Sequence, residues 1–427
     1  MKKAGKLPLV VLATAAVSLA AAVVAMTFSH REKRIGRQIK RLYSAADPDF
    51  SRAMGVLLGP AIVGGNRFEV LLNGDRIFPA MLAAIGDARK NITFESFIYW
   101  SGTIGRRFAD ALAERARAGV KVHVLLDWVG SNKMDPAQLA LMEQAGIEVR
   151  RFHAPHWYNL ARMNNRTHRK VLVVDGEVGF TGGVGIADQW TGDAQDPEHW
   201  RDTHFRVEGP VVAQMQAVFL DNWIKATGVV LHGPDYFPAL KPAGTGAAQM
   251  FSSSRSGGSE SMQLMYLLAI TAAQRSIHLS TAYFVPDPLT LRTLADAVKR
   301  GVKVQIITPG EHTDTEIVRR ASRARWGTLL EAGAEIYEYL PTMYHCKVMI
   351  VDALLVSVGS TNFDDRSFQL NDEANLNIYD AGFAARLVDI FQDDLARSRR
   401  IGLREWQRRP RAQKLWERAA SLLGSQM

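Results

Sequence analysis

A single cysteine, Cys346, occurs among 427 residues. That excludes an intrachain disulfide and any cysteine-built metal cluster. Long apolar runs are equally scarce. One stretch, Leu7 to Phe28, is free of charge, so the chain is not a multi-span membrane protein. Acidic residues are in the minority, 43 Asp+Glu against 52 Lys+Arg, which leaves a formal charge of +9. A basic excess favours anionic partners such as phosphates, nucleic acid or an acidic membrane face, and it also serves plain solubility. What is present is an ordinary globular balance, 47% apolar and 22% charged. It excludes a wholly disordered chain and a collagen-like fibre. The length allows two or three domains, or one large duplicated unit.

The two ends stand apart from the body. Lys2, Lys3 and Lys6 precede the run Leu7–Phe28, and Arg31, Lys33, Arg34, Arg37, Lys40 and Arg41 follow it. At ~1.5 Å per residue the run spans about 33 Å as a helix, enough for a ~30 Å hydrocarbon core. A secretory signal cleaved near Ala20-Ala21-Ala22 is the rival reading. The heavier positive charge after the run favours an uncleaved anchor with the body cytoplasmic. The opposite end is basic too, with Arg399, Arg400, Arg404, Arg408, Arg409, Arg411 and Lys414 among Trp406, Leu415, Trp416, Leu422 and Leu423. It reads either as an interfacial amphipathic segment or as a terminal helix that packs its Trp and Leu on the body.

Between the ends the sequence repeats. Ile92–Tyr99 and Ile277–Phe284 read as buried strands, each followed by an amphipathic helix, Gly105–Ala118 and Pro288–Arg300. Gly119-Val120-Lys121-Val122-His123-Val124 and Gly301-Val302-Lys303-Val304-Gln305-Ile306 then start new strands. Strand–helix–strand order predicts an α/β fold. Matching points lie 177 to 185 residues apart. The boundaries expected are 1–41 for the anchor and its basic flank, 60–224 and 248–398 for the halves, 225–247 for a linker rich in Gly and Pro, and 399–427 for the basic tail.

The third matching pair carries the chemistry. His168-x-Lys170 and His345-x-Lys347 are each followed, five residues after the lysine, by Asp175 and Asp352. The residues between are mostly apolar and β-branched, so each motif is expected on a strand with His and Lys on one face. A titratable imidazole beside a fixed cation suits a phosphodiester: the cation neutralises phosphoryl oxygens while the imidazole acts on phosphorus or a leaving oxygen. Two such motifs at equivalent places in a repeat are not chance. Small residues follow in both halves, Gly182-Gly183-Val184-Gly185 and Gly359-Ser360-Thr361-Asn362, and let backbone approach a phosphate. Asp202 and Glu373 lie further on and can hold an imidazole tautomer.

At these residues the chain resembles the phospholipase D superfamily, from Phe68 to about Pro410. Tyr283-Phe284-Val285-Pro286, Trp200-Arg201-Asp202-Thr203-His204, Gly209-Pro210 and the Trp406…Arg409-Pro410 tail look like those of bacterial cardiolipin synthases. The resemblance implies two α/β/α sandwich halves packed around one active site. It implies catalytic His168, Lys170, His345 and Lys347, with Asp175 and Asp352 closing the motifs in a role that looks structural. Asn362, Ser360 and Gly183 are the implied phosphate-binding residues, and Asp202 and Glu373 the histidine-orienting pair. One departure stands out: the family usually has Asn where this chain has Gly185.

The expected reaction is double displacement at phosphorus, with His168 as nucleophile by family tendency and His345 as general acid and then base; the symmetry of the motifs leaves the roles open to exchange. The expected enzyme is a phosphatidyltransferase of the cardiolipin synthase type, with phosphatidylglycerol as acceptor and phosphatidylglycerol or another phospholipid as donor. Its partners are anionic phospholipids at a bacterial inner membrane, nucleic acid being the weaker candidate. No cofactor and no metal are expected, and the His153–His156 pair reads as loop. The rivals are a phospholipase releasing phosphatidic acid, a nuclease-type phosphodiesterase, and a non-catalytic membrane scaffold. Both motifs are complete, which argues against the last.

Overall fold

The computed structural model describes residues 35–152, 165–254 and 261–422, with Val11, Thr14 and Ser18. The rest of the Leu7–Phe28 run, the Ala20–Ala22 cleavage candidate and the His153–His156 pair lie outside the described residues. Among the described residues no helix is long and apolar enough to cross a membrane.

The first half contains α1 (Pro48–Leu58), β1 (Val63–Leu72), α2 (Asn73–Asp87), β2 (Asn91–Ser96), α3 (Thr103–Arg117), β3 (Lys121–Asp127), α4 (Pro136–Gln144) and β4 (Glu148–Phe152). It continues through β5 (Val171–Val174), β6 (Val178–Gly182), β7 (Thr203–Glu208) and α5 (Val212–Thr227). The second half repeats this order with β8 (Gly246–Ser253), α6 (Met262–Ala272), β9 (Ser276–Thr281), a short β10 (Phe284–Val285), α7 (Pro288–Lys299), β11 (Lys303–Pro309), α8 (Glu316–Ala332) and β12 (Glu335–Tyr339). Then come β13 (Lys347–Val351), β14 (Leu355–Gly359), β15 (Phe363–Asp364), α9 (Asp365–Gln369), β16 (Glu373–Tyr379), α10 (Ala381–Ala396) and β17 (Ser398–Arg400). Two helices end the described chain, α11 (Leu403–Gln407) and α12 (Arg411–Leu422).

The sequence periods explain the elements. Helix α3 buries Ile104, Phe108, Ala109, Leu112 and Ala113, a stripe at helical spacing. Helix α7 starts where the Asp287 carboxylate accepts from the Leu289 and Thr290 amides, with Pro288 in the first turn, a strong start signal. After α3 and α7 the chain turns at Gly119 and Gly301, both with φ of 92°, a conformation that a Cβ disfavours.

Fifteen strands form one sheet in the order β17-β12-β11-β9-β13-β14-β16-β8-β1-β7-β6-β5-β2-β3-β4. The halves therefore join edge to edge through antiparallel β1 and β8. The parallel pairs β2–β3–β4 and β9–β11–β12 lie toward the outer ends. One core belongs to each half, around Phe94, Phe108 and Leu112, and around Leu279, Leu294 and Trp326. A third crosses the junction. Val171, Val173, Phe205 and Met215 pack there with Met250, Val348, Ile350, Leu376 and Phe391. At about 1.5–3 kcal/mol for each fully buried large apolar side chain, this shared core makes separation of the halves costly.

The strand of each His-x-Lys motif starts late. β5 begins at Val171, after Lys170, and β13 at Lys347. Thr167 and Tyr344, which precede the histidines, instead bridge to the opposite half, with Asp372 and Arg201 respectively. At the far end of each motif the carboxylate binds backbone amides. Asp175 accepts the amides of Arg89, Lys90 and Asn91 at 2.7–3.2 Å. Asp352 accepts those of Gln274, Arg275 and Ser276 at 2.7–3.0 Å. Both sit at φ near 55°.

Each of these aspartates is therefore expected to act on stability. Asp175→Ala or Asp352→Ala should cost about 3 kcal/mol or more, since charge-assisted hydrogen bonds contribute ~1.5–3 kcal/mol each. Asn, which tolerates positive φ, should recover part of it. Urea unfolding measures the loss, and turnover per native molecule should hold. An unchanged midpoint with turnover abolished would move these carboxylates into the chemistry.

Candidate active site

His168 and His345 are each buried and each hydrogen-bonded through Nδ1 to a carboxylate of the opposite half. His168 Nδ1 lies 3.0 Å from both carboxylate oxygens of Glu373. His345 Nδ1 lies 2.7 Å from Asp202 Oδ2. The backbone repeats the crossing: the His168 amide donates to Asp372 O at 2.9 Å, and the His345 amide to Arg201 O at 2.8 Å. Each imidazole is thus held, side chain and main chain, by the half that does not contain it. A carboxylate at Nδ1 requires the proton there, so Nε2 carries the lone pair in both neutral rings.

The carboxylates are themselves held. Ser360 Oγ donates to Glu373 Oε2 at 2.5 Å. Trp190 Nε1 donates to Asp202 Oδ2 at 2.9 Å, and the Thr203 amide to Oδ1 at 2.7 Å. Burial opposes ionisation of both, but the histidine and lysine partners outweigh it, holding Glu373 down to about 2 and Asp202 below the usual range.

Lys170 Nζ donates to His168 O at 2.8 Å, and Lys347 Nζ to His345 O at 2.7 Å. Lys347 Nζ also lies 3.2 Å from both ring nitrogens of His345. With Nδ1–H committed to Asp202, only Nε2 can accept from that ammonium. His168 Nε2 makes no hydrogen bond among the described residues. Burial pulls Lys170 down to about 7, helped by the Lys347 charge, and lowers Lys347 as well. Burial, with the lysines adding to it and the carboxylates opposing, lowers His168 to about 4 and His345 to about 3. The charges that oppose burial around these four groups are chiefly those of Glu373 and Asp202.

The remaining sequence candidates fall into place around this centre. Asn362 is buried, with Oδ1 unpartnered among the described residues. Ser360 reaches Glu373 rather than the open site. The Gly183 amide donates to Thr203 O at 3.2 Å, so it is not a free phosphate donor. A Cβ at Gly183 would lie 2.2 Å from Asp202 Oδ1, so glycine makes room for the carboxylate. At Gly185 a Cβ would meet Ile98 Cβ at 2.8 Å, which leaves no space for an asparagine side chain. Cys346 Sγ faces Thr203 Oγ1 at 3.4 Å, and burial pushes its thiol up to about 12. Aromatic rings wall the histidines: Phe97 is 5.0 Å from His168, and Trp190 and Trp200 are 5.1 and 5.5 Å from His345. Among the described residues no group of three or more His, Cys, Asp or Glu could hold a metal.

Sequence reasoning missed the layer beneath. The Thr167 hydroxyl donates to buried Glu95, which also accepts from Asn222 Nδ2 at 2.8 Å, and the Thr167 amide donates to Asp127. Burial pushes Glu95 up to about 7 and Asp127 to about 6. In the second half the Tyr344 hydroxyl donates to Asp394 Oδ2 at 3.0 Å and lies 2.8 Å from Ser280 Oγ, and Arg201 of the first half pairs with Asp394 at 2.9 Å. A lone carboxylate within the apolar strand Ile92–Tyr99 was the available signal.

The family model described as cardiolipin synthase, phospholipase D-like domain matches residues 81–223 and 266–395. A cardiolipin synthase of Geobacillus kaustophilus is 37% identical over 83% of this chain and 71% of its own length. Cardiolipin synthase A of Pseudomonas putida is 34% identical over 87% of this chain and 77% of its own. The crystal structure of phosphatidylserine synthase from Haemophilus influenzae superposes with a TM-score of 0.67 at 14% identity, covering 89% of this chain and all of that one. That last likeness concerns the fold.

Two outcomes follow from the geometry. In double-mutant cycles on kcat, Asp202→Asn should couple to His345→Ala and not to His168→Ala, although Asp202 and His168 share a half. Each acid-to-amide change should cost about 10⁴-fold, as for a triad aspartate. Coupling of Asp202 to His168 would contradict the crossed pairing. Lys170→Met should stabilise the empty protein at pH 7. The lysine binds its proton at about 7 folded and near 10.4 unfolded, so its destabilising effect is complete below pH 7 and vanishes above the unfolded value. Urea midpoints from pH 6 to 10 should show the variant's advantage shrinking as pH rises; an advantage that grew would contradict the depressed value.

Proposed function

The chain belongs to the family of cardiolipin synthase phospholipase D-like domains, and on that premise we propose that it is a phospholipid phosphatidyltransferase that forms cardiolipin. The observation that carries the reading is the crossed pair of histidines, one with Nε2 unengaged and the other with Nε2 against a lysine ammonium. His168 Nε2 attacks phosphorus of a donor phospholipid, the N–P bond forms and the P–O bond to the headgroup alcohol breaks. His345, protonated once the phosphodiester anion sits between Lys170 and Lys347, gives its Nε2 proton to the departing oxygen. A glycerol hydroxyl of phosphatidylglycerol then loses its proton to His345, forms the new P–O bond and displaces His168. One phosphodiester replaces another, so no nucleotide is consumed. Lys170, Lys347 and Asn362 hold the phosphoryl oxygens.

The aromatic wall of Phe97, Trp190 and Trp200 supports transfer over hydrolysis, because it limits water around the intermediate. Phospholipid headgroups supply the competing alcohol at high local concentration. The same reading places the body on the cytoplasmic face of a bacterial inner membrane, held by Leu7–Phe28. Its support is the charge-free run and the basic residues that follow.

Purified protein given phosphatidylglycerol vesicles should release glycerol and accumulate cardiolipin in equal amounts. Added phosphatidylethanolamine would reveal a second donor through ethanolamine release. Phosphatidic acid as main product would make the enzyme a phospholipase. Cleavage of DNA with no lipid turnover would overturn the lipid assignment and leave the histidine chemistry standing.

A further inference from the structure

Helix α12 turns its apolar side outward. On a helical wheel, the side facing the body carries Gln413, Glu417 and Ala420, of which Glu417 and Ala420 are buried. Polar contacts hold it there. Arg409 Nη1 lies 2.5 Å from Glu417 Oε2, Arg323 Nε lies 3.5 Å from Oε1, and Gln413 Nε2 donates to Oε1 at 3.0 Å. The opposite side carries Leu415, 68% exposed, with exposed Ala412 and Ala419 beside it, and Trp416, 66% exposed, at the edge of the strip about 100° round from Leu415. Exposed Arg411 and Arg418 border this strip. Neither arginine has a carboxylate partner among the described residues. A helix that packs alone on a globular body does the reverse, burying its apolar stripe.

The position of this face matters as much as its composition. Ala420 packs with Val318, Ala321 and Val285, against Tyr283. The Tyr283 hydroxyl donates to Asp314, and Asp314 and Lys347 lie within electrostatic reach of each other. Ile317, 44% exposed, sits beside Val318 at the start of α8. The last turn of α12 therefore packs, through its body-facing Ala420, beside the segment of Tyr283, whose hydroxyl meets a carboxylate that acts on Lys347.

We propose that the Leu415–Trp416 face of α12 docks on an anionic phospholipid bilayer. The charge selects that occupant: arginines with no internal partner border the apolar strip along its Leu415 edge and Trp416 closes the other, an arrangement that seats a helix at a headgroup boundary. Docking there brings a bilayer surface to the site without lifting a whole lipid into water.

The test uses the full chain with Leu415→Cys, labelled with a polarity-sensitive fluorophore. Cys346 is buried and stays unlabelled. Vesicles of phosphatidylglycerol should shift the emission to the blue and raise it several-fold, and lipid-borne nitroxide should quench it. Pure phosphatidylcholine vesicles should do neither, and a probe at Glu114→Cys should not respond. A probe at 415 that stays in a polar environment on phosphatidylglycerol overturns the proposal. So does a shift without vesicles that grows with protein concentration, which would mean a second copy, or one abolished by removing residues 1–34, which would mean the chain's own N-terminus. None of these readings involves turnover, so they stand apart from the transferase assignment. Leu415→Ser with Trp416→Ser should lower turnover on vesicles about tenfold and leave a water-soluble short-chain phosphatidylglycerol unaffected. Equal loss on both substrates would also overturn it.

Discussion

The exchange of carboxylates between the halves is the constraint on which this protein depends. Glu373 serves His168 and Asp202 serves His345, so neither half contains a working imidazole by itself. The rest of the architecture keeps that exchange in register. β1 and β8 make one sheet of two, a shared apolar core crosses the junction, and the bridges Thr167–Asp372 and Arg201–Tyr344 fix the backbone on either side of each histidine. A shift of the halves by a single residue would exchange faces along the junction strands and part both histidines from their acids.

Burial works against every positive charge in this site. Two buried lysines and two buried imidazoles share the charges of Glu373 and Asp202, each carboxylate in direct contact with one imidazole. Burial and mutual repulsion drive the lysines and histidines toward neutrality. In the proposed reaction a phosphodiester adds negative charge beside them and raises their affinity for protons. Binding and protonation of the general acid are thereby linked in one event, through groups already in place.

Much of this was legible in the sequence. The duplication, the α/β order and the two His-x-Lys motifs are local patterns, and the Asp202 and Glu373 positions follow from the same resemblance. Which acid serves which histidine is not local, because it depends on how two copies of one fold meet. The roles of Ser360 and Gly183 were read as phosphate contacts, since small residues in a turn look alike whether they approach a ligand or a carboxylate. In space one donates to Glu373 and the other clears room for Asp202. Glu95 was legible only as an oddity, a charge within an apolar strand, until Thr167 was seen against it. The outward turn of α12 was one of two readings that the sequence left open. A helical wheel gives two faces, and hydrophobicity normally decides which one is buried; here the Glu417 ion pairs decide. The anchor Leu7–Phe28 remains a reading of composition and flanking charge.

The central claim is that His168 becomes covalently phosphorylated through Nε2 while His345 handles the proton. Rapid quenching of the enzyme during turnover of labelled phosphatidylglycerol, followed by peptide mass analysis under conditions that preserve phosphoramidates, tests it most directly. The account predicts a phosphatidyl adduct on the peptide containing His168, in up to one equivalent per chain, and none on the peptide containing His345. An adduct on His345 alone would reverse the two roles, and turnover with no adduct on either histidine would contradict the double-displacement mechanism itself.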